Sequence, residues 1–197
     1  MAKVTGPLFS LSASGQIAKS LVFMKWKGID DVRKYVIPAN PKSTDQLIQR
    51  GIFEDAVTEW HAAAYNTLDV AAWNLFASVQ DKVMSGFNSM VKTFVKLKID
   101  ANVWTRLYGA WTSGINKNEF SLNIRKVAAG AVPKLWLGTN KTNMAYKDVF
   151  KDNADGTWYC TPTGLIANTD YYCTVRITLP ALQESRLGIY KIHTLAA

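Results

Sequence analysis

The sequence has few of the residues that carry catalytic chemistry. It contains two histidines, His61 and His193, and two cysteines. Neither histidine has a cysteine or carboxylate at a metal-ligand spacing, and the phosphate-binding glycine loops, the HExxH helix and the GxSxG turn are absent. Asp152 and Asp155 resemble a fragment of a calcium loop, but the other spaced ligands are missing, so a turn is favoured. We therefore expect no enzymatic activity, no metal and no cofactor.

Long apolar runs and blocks of like charge are also missing. No run reaches the roughly 18 apolar residues of a transmembrane helix, and the first residues lack the apolar segment of a secretory signal. The net charge of +8 is spread along the chain, without a block of about five like charges. A mildly basic surface explains this pattern more simply than a nucleic-acid site, and we expect neither a membrane nor nucleic acid as a partner.

Residues 1–42 are predicted to form an extended arm. The segment around residues 21–27 and 32–37 mixes β-branched and aromatic residues with a two-residue period, which places Val22, Met24 and Trp26 on one side of the first run. The residues between the two runs, which include Asp30 and Asp31, are rich in turn residues. This pattern predicts a β-hairpin. A two-stranded hairpin is marginally stable alone in water, so we expect the arm to lie against the body of the protein or against a neighbouring subunit.

Residues 43–100 are predicted to form a helical domain of about three helices. Ser43 and Gln46 fit a capping box, with Thr44 as the alternative cap, and a helix of about 20 residues follows from the apolar spacing. Thr67 is the predicted cap of a second helix, and a third run follows Gly86. The apolar stripe predicted to pack the first helix against its partners consists of Ile48, Ile52, Phe53, Ala56, Val57, Trp60 and Ala64.

Residues 101–197 change to short β-rich runs separated by Gly, Pro, Asn and Asp, which predict an antiparallel β-sandwich. Leu165, Ala167, Thr169 and Tyr171 resemble the L-x-P-x-T-x-Y run of fibronectin type III domains, with alanine in place of proline. The resemblance implies that Tyr171 is a tyrosine corner, whose hydroxyl bonds to the backbone of the preceding connection. The predicted fold class is therefore α+β: an extended β arm, a helical domain and a C-terminal Ig/fibronectin III-like sandwich.

The two cysteines are predicted to be buried thiols. Counting from Tyr171, alternation turns Cys173 towards the core, and counting back from Leu165 turns Cys160 inward with Trp158 and Pro162. The two residues then lie on opposing sheets about 10 Å apart, whereas a disulfide needs Cα atoms within about 7 Å. Free thiols are favoured, and a disulfide is the alternative in an oxidising compartment.

An ordered series of motifs runs through residues 15–95. It comprises a WKG…VR strand pair, the pattern P-x-N-P-x-T-x-x-Q-x-x-x-R, an apolar helix ending in Trp, a second AW helix and a GFN start of a third. The matching residues are Trp26, Lys27, Gly28, Arg33, Pro38, Asn40, Pro41, Thr44 (directly beside Ser43, which stands at the Thr position of the pattern), Gln46, Arg50, Trp60, Trp73, Gly86, Phe87 and Asn88. This series resembles structural proteins of tailed bacteriophages and prophages. It departs from them in the longer YNTLDV connection and at Met90, where an aromatic residue is common.

The resemblance implies a non-enzymatic structural component of a virion, in the capsid, neck or tail, which assembles in the host cytoplasm. Its partners would be other virion proteins and further copies of the chain in a symmetric assembly, with the sandwich projecting. The alternative is a carbohydrate- or receptor-binding sandwich, with Trp136 as the candidate glycan contact because it alternates with two leucines. The candidate interface residues are Trp26, Arg33, Tyr35, Arg50, Trp60 and Trp73.

Overall fold

The chain divides into two compact units, Met1–Ser43 and Thr44–Ala197. The structure is a computed structural model that describes residues 15–17, 19–27, 29–37, 40, 42–126, 132–178 and 184–196. Gly28, Pro38 and Pro41 of the motif series lie outside the described residues, as does the side chain of Trp26. Residues 43–100 and 101–197, predicted as two consecutive domains, share the second compact unit.

The arm is a three-stranded antiparallel sheet in the order β1-β2-β3. The predicted hairpin is present as β2 and β3, and a short first strand pairs with β2. The prediction that Asp30 and Asp31 form the turn is wrong, because both lie in β3, where Asp30 is opposite Lys25. The strands are β1 (Gly15–Ile17), β2 (Leu21–Trp26) and β3 (Ile29–Lys34).

Three helices follow, as predicted. They are α1 (Thr44–Ala62), α2 (Thr67–Ser78) and α3 (Gly86–Ile99). The cap of α2 is Asn66 and not Thr67, because the Asn66 side chain accepts from the Asp69 N–H at 2.8 Å while Asp69 accepts from the Asn66 N–H at 3.2 Å. This reciprocal pair is a capping box. Ser85 caps α3 and accepts from the Asn88 N–H at 3.2 Å.

Eight strands build two facing antiparallel sheets. One has the order β4-β5-β9-β8 and the other β11-β10-β6-β7, and side chains alternate between the interior and the outside along them. The β-rich runs predicted within residues 101–197 are present as strands. The strands are β4 (Leu107–Ser113), β5 (Ser121–Lys126), β6 (Lys134–Gly138), β7 (Ala145–Val149), β8 (Lys151–Asp152), β9 (Thr157–Cys160), β10 (Asp170–Thr178) and β11 (Glu184–His193).

The predicted tyrosine corner is present at the start of β10. The Tyr171 hydroxyl accepts from the Ile166 N–H at 2.9 Å, in the connection before the strand. Tyr171 itself is buried in the core between the sheets. The bond satisfies a backbone donor of the connection and holds the chain where it crosses from one sheet to the other.

Helices α2 and α3 pack against β11 and extend the core beyond the sandwich. A second apolar cluster lies there, distinct from the one between the sheets, and Ile189 is the residue that β11 contributes to it. The close packing needs Gly188, because a Cβ at this position would overlap the Ala72 carbonyl of α2. The buried members of the second cluster are Ala56, Trp73, Phe76, Met90, Val91, Phe94 and Ile189.

Candidate functional site

Asp69 links α2 to both sheets of the sandwich. One carboxylate oxygen accepts from the Gly109 N–H at 2.7 Å, and the other accepts from the Ala110 N–H at 3.2 Å and from the Tyr190 hydroxyl at 2.8 Å. The two N–H groups are turned away from β5 by a bulge in β4, where Gly109 has a φ of 59°. Together with Asn66, the bonds give a buried carboxylate four donors, which compensates its lost hydration.

Arg106 fixes the C-terminal half of α1 to the same unit. Its guanidinium donates two bonds to the Glu59 carboxylate, at 2.7 and 2.6 Å, and the Trp104 ring N–H donates to the same carboxylate at 3.1 Å. The bond to Glu59 raises the pKa of Arg106. Two parallel bonds from a planar guanidinium to a carboxylate form in only one relative orientation. These contacts therefore set the rotation of α1 about its own axis.

Trp60 and Trp73, two of the predicted interface residues, serve the interior of the chain. Trp73 has an exposed fraction of 0%, so its ring is not available to a second chain. Trp60 is half-buried and packs edge-on against Tyr65 and Phe87, with ring centroids 5.0 and 5.4 Å apart. Aromatic residues of this size supply much of the core of a small domain, and the structure assigns both tryptophans to that role.

The N-terminal half of α1 departs from its predicted packing. Ile48 and Phe53 were predicted to pack this helix against its partners, but they are 53% and 54% exposed. The predicted stripe is fully buried only at Ala56, and Ala64, predicted on the helix, follows its end with a φ of 48°. The stripe is correct in its spacing, but only its C-terminal part joins the apolar cluster of the helices, through the buried Ala56 and the half-buried Trp60.

A compact patch of exposed side chains therefore surrounds one residue of α1, Gly51. Leu47 and Ile48 lie one turn before it, and Glu54 and Asp55 lie one turn after it. Residues three and four apart share a face of a helix, so the patch joins two apolar and two acidic side chains around a glycine. The apolar spacing did not reveal this patch, because Ile48 was predicted to face inward and Leu47 was not part of the predicted stripe. The interior glycine was the available signal.

Arg50, the predicted contact on this helix, is exposed. In the arm, Arg33 is exposed and Tyr35 is half-buried, and the Tyr35 N–H donates to the Ser20 carbonyl at 2.8 Å. The arm also exposes Val36 and Ile37, by 68% and 76%. The contacts that these residues were predicted to make with another chain stay predictions.

The C-terminal half is a fibronectin type III-like β-sandwich. No family model and no curated protein matches the chain. A computationally redesigned β-sandwich protein is 13% identical, with 46% of this chain and 94% of that chain covered and a TM-score of 0.37. A fibronectin type III domain of the human KIAA0970 protein is 10% identical, with 60% of this chain and 88% of that chain covered and a TM-score of 0.36. The sensor domain of the anti-sigma factor RsgI4 from Pseudobacteroides cellulosolvens is 17% identical, with 47% of this chain and 94% of that chain covered and a TM-score of 0.33. Such distant likenesses concern the fold alone.

Trp136, the candidate glycan contact, lies on the outer side of the sandwich between the inward residues Leu135 and Leu137. The Arg176 guanidinium lies over its ring, 4.9 Å from the centroid, and the Tyr146 ring meets it edge-on at 5.8 Å. A sugar would need an open face of the indole, and the guanidinium covers one of the two faces. The glycan contact stays a prediction, and of the two aromatic rings Tyr146 is the exposed one.

The titratable groups of the described residues do not converge on a catalytic arrangement. Within the described ranges, no three His, Cys, Asp or Glu side chains are placed to hold a metal ion. His61 is exposed, and His193 contacts Asp170 at 2.8 Å and Asn168 at 3.1 Å on the surface. Asp170 also pairs with Lys191 at 2.7 Å. None of the helices in the described part of the chain has the length and apolar character needed to cross a membrane.

Cys160 and Cys173 are free, buried thiols on opposing sheets, as predicted. Burial raises the pKa of the Cys160 thiol to about 12, with the charge of Asp148 as a smaller cause. Burial also raises the pKa of the Cys173 thiol, and the charge of Cys160 raises it further as a smaller cause. Since the thiolate is the reactive form of cysteine, both side chains are inert in the folded state.

We expect both thiols to resist alkylation in the native protein. At pH 8, iodoacetamide should modify them more than about a thousand-fold more slowly than in denaturant, because reaction requires opening of the fold. Intact-mass spectrometry over time measures the rates, and the reduced, denatured chain is the control. Fast modification of either thiol in the native chain would contradict the buried positions.

Proposed function

We propose that this protein is a non-enzymatic structural component of a tailed-bacteriophage virion. Its arm and helices contact neighbouring copies and other virion proteins, and its sandwich projects from the assembly. The ordered motifs over residues 15–95 support the proposal, because they resemble structural proteins of such particles. The observation that carries it is the exposure of large apolar side chains, Val36 and Ile37 in the arm and Leu47 and Ile48 on α1, in clusters that commonly mark interaction sites.

The two surfaces suit assembly better than ligand binding. Ligand sites are concave and bring a few polar groups together, whereas the apolar residues of the arm lie on and just after β3, at the edge of a sheet. An edge strand presents unpaired backbone groups that a second chain can use. A symmetric assembly repeats such contacts between identical copies.

The proposal is tested by following the chain through particle purification. A C-terminal tag on the gene in its own phage or prophage should be found in gradient-purified particles at a fixed, stoichiometric ratio to the major capsid protein, measured by quantitative mass spectrometry. A cryo-EM map of those particles should contain density that this fold fits, in a symmetric ring or shell. Particles that are complete and infectious while the tagged chain stays at the top of the gradient would overturn the proposal.

A further inference from the structure

We propose that residues 32–37 of the arm in one copy bind the Gly51 patch of α1 in a second copy. The Gly51 patch consists of Leu47, Ile48, Gly51, Glu54 and Asp55. This inference rests on the proposed function and specifies which two surfaces form the contact between copies. Three independent features of the described residues support the pairing: an unexplained helix glycine, matching apolar exposure and opposite charge.

Among the described residues of its own chain, neither packing nor backbone conformation explains why position 51 is a glycine. It lies in the middle of α1, where glycine is less favourable than alanine, and its backbone does not need a left-handed conformation. Apart from its chain neighbours and the backbone of its own helix, no heavy atom of the described residues would lie within 4 Å of a Cβ at this position, so packing among the described residues does not require a glycine either. A glycine at an exposed position allows another backbone to approach the helix closely, and this explains Gly51 if an extended segment crosses α1 there.

The apolar residues on the two sides are similar in number and exposure. Leu47 and Ile48 of the Gly51 patch are 51% and 53% exposed. In the arm segment, Val32, Val36 and Ile37 are each more than half exposed. Burying these side chains against one another removes apolar surface from water, which is the main driving force of most protein association.

The charges of the two sides are opposite. Helix α1 has four acidic residues and one basic residue, a net charge of −3, and two of the acids, Glu54 and Asp55, belong to the Gly51 patch. Residues 15–43 have six basic and two acidic residues, a net charge of +4. Arg33 and Lys34, both exposed, lie between the apolar residues of the segment. Complementary charge selects the partner and the register of a contact between chains.

The contact is heterologous, because it joins two different surfaces of the same chain. Each copy offers one arm and one Gly51 patch, so contacts continue from copy to copy and close into a ring when the rotation permits. A second copy of this chain is therefore the occupant of the patch. Binding in trans distinguishes this arrangement from folding of an arm onto its own helix, because only binding in trans depends on concentration.

Charge reversal on each side tests the pairing in the full-length chain. Glu54→Lys/Asp55→Lys and, separately, Arg33→Glu/Lys34→Glu should each raise the dissociation constant for self-association by about ten-fold or more. Mixing the two variants one to one should restore association, because every contact in an alternating assembly then joins opposite charges. Sedimentation velocity over a concentration series measures these constants, and circular dichroism checks that both variants are folded.

A larger side chain in place of Gly51 provides the second test. Gly51→Gln should weaken self-association while leaving the fold intact, because its side chain would occupy the space above the helix. Ala71→Gln, a substitution at an exposed position of α2, is the matched control and should associate like wild type. Equal dissociation constants for the wild type and all these variants would overturn the pairing, as would a wild-type chain that stays monomeric at its highest attainable concentration.

The result for the pairing is separable from the result for the proposed function. A chain that is stoichiometric in purified particles, with charge-reversed variants that also incorporate normally, would leave the virion role standing and remove the arm-to-helix contact. A chain that self-associates through the two surfaces but is absent from particles would support the contact and overturn the virion role.

Discussion

Replacing Asp69 by alanine should lower the free energy of unfolding by about 3–5 kcal/mol, the cost of removing one partner from a buried charged network. The carboxylate is fully buried and accepts bonds from Asn66, Gly109, Ala110 and the Tyr190 hydroxyl. Without it, these donors lose their partner, because the β4 bulge directs two backbone N–H groups at the carboxylate and away from β5. Urea denaturation followed by tryptophan fluorescence measures the loss.

Two variants at the same network separate the charge from the shape. Tyr190→Phe removes one donor and leaves three on the carboxylate, so it should cost only about 1 kcal/mol. Asp69→Asn keeps the volume but turns an amide NH2 towards N–H donors, and its cost should fall between the other two. If Asp69→Ala destabilised no more than Tyr190→Phe, the network would not hold α2 on the sandwich.

Gly188→Ala should cost about 3 kcal/mol, the upper part of the usual range for overpacking. The added methyl group would overlap the Ala72 carbonyl and lie 2.5 Å from the Trp73 nitrogen. These are backbone atoms of α2 and cannot turn aside as a flexible side chain would, so α2 must shift away from β11. A shift would also loosen the Trp73 cluster, and we expect a lower unfolding midpoint together with altered near-UV circular dichroism.

Gly51→Ala is the matched control, since it makes the same chemical change on a helix with open space around it. In dilute solution it should stabilise the chain by up to about 1 kcal/mol through helix propensity. Opposite signs for the two substitutions would show that contact with α2 makes the difference. Wild-type stability in the Gly188→Ala variant would mean that α2 does not pack closely against β11.

Short-range patterns made parts of the fold predictable. The alternation around Tyr171 placed Cys173 inward, and the L-x-A-x-T-x-Y run located the tyrosine corner, because both depend on residues adjacent along one strand. The three helices were predictable from apolar spacing. The N-x-x-D pattern of Asn66 and Asp69 was also available as a capping signal, although Thr67 was the predicted cap.

Long-range contacts were not predictable in the same way. Asp69 has the sequence signature of an ordinary cap residue, and nothing near it along the chain indicates its donors at Gly109 and Tyr190. The isolated glycine at position 188 indicates a close approach in a strand, but not that α2 makes it. The outward face of α1 escaped prediction because periodicity identifies an apolar stripe without identifying what covers it.

The sequence by itself determined the element types, the three helices, the inward face of β10 and the scarcity of catalytic residues, since each follows from local periodicity or composition. Only the tertiary structure decided that the helices share a unit with the sandwich, that Trp73 belongs to the core and that the Gly51 patch is exposed. The physical reason is that burial depends on which surfaces meet, and residues as far apart as Asp69 and Tyr190 meet only when the whole chain has folded.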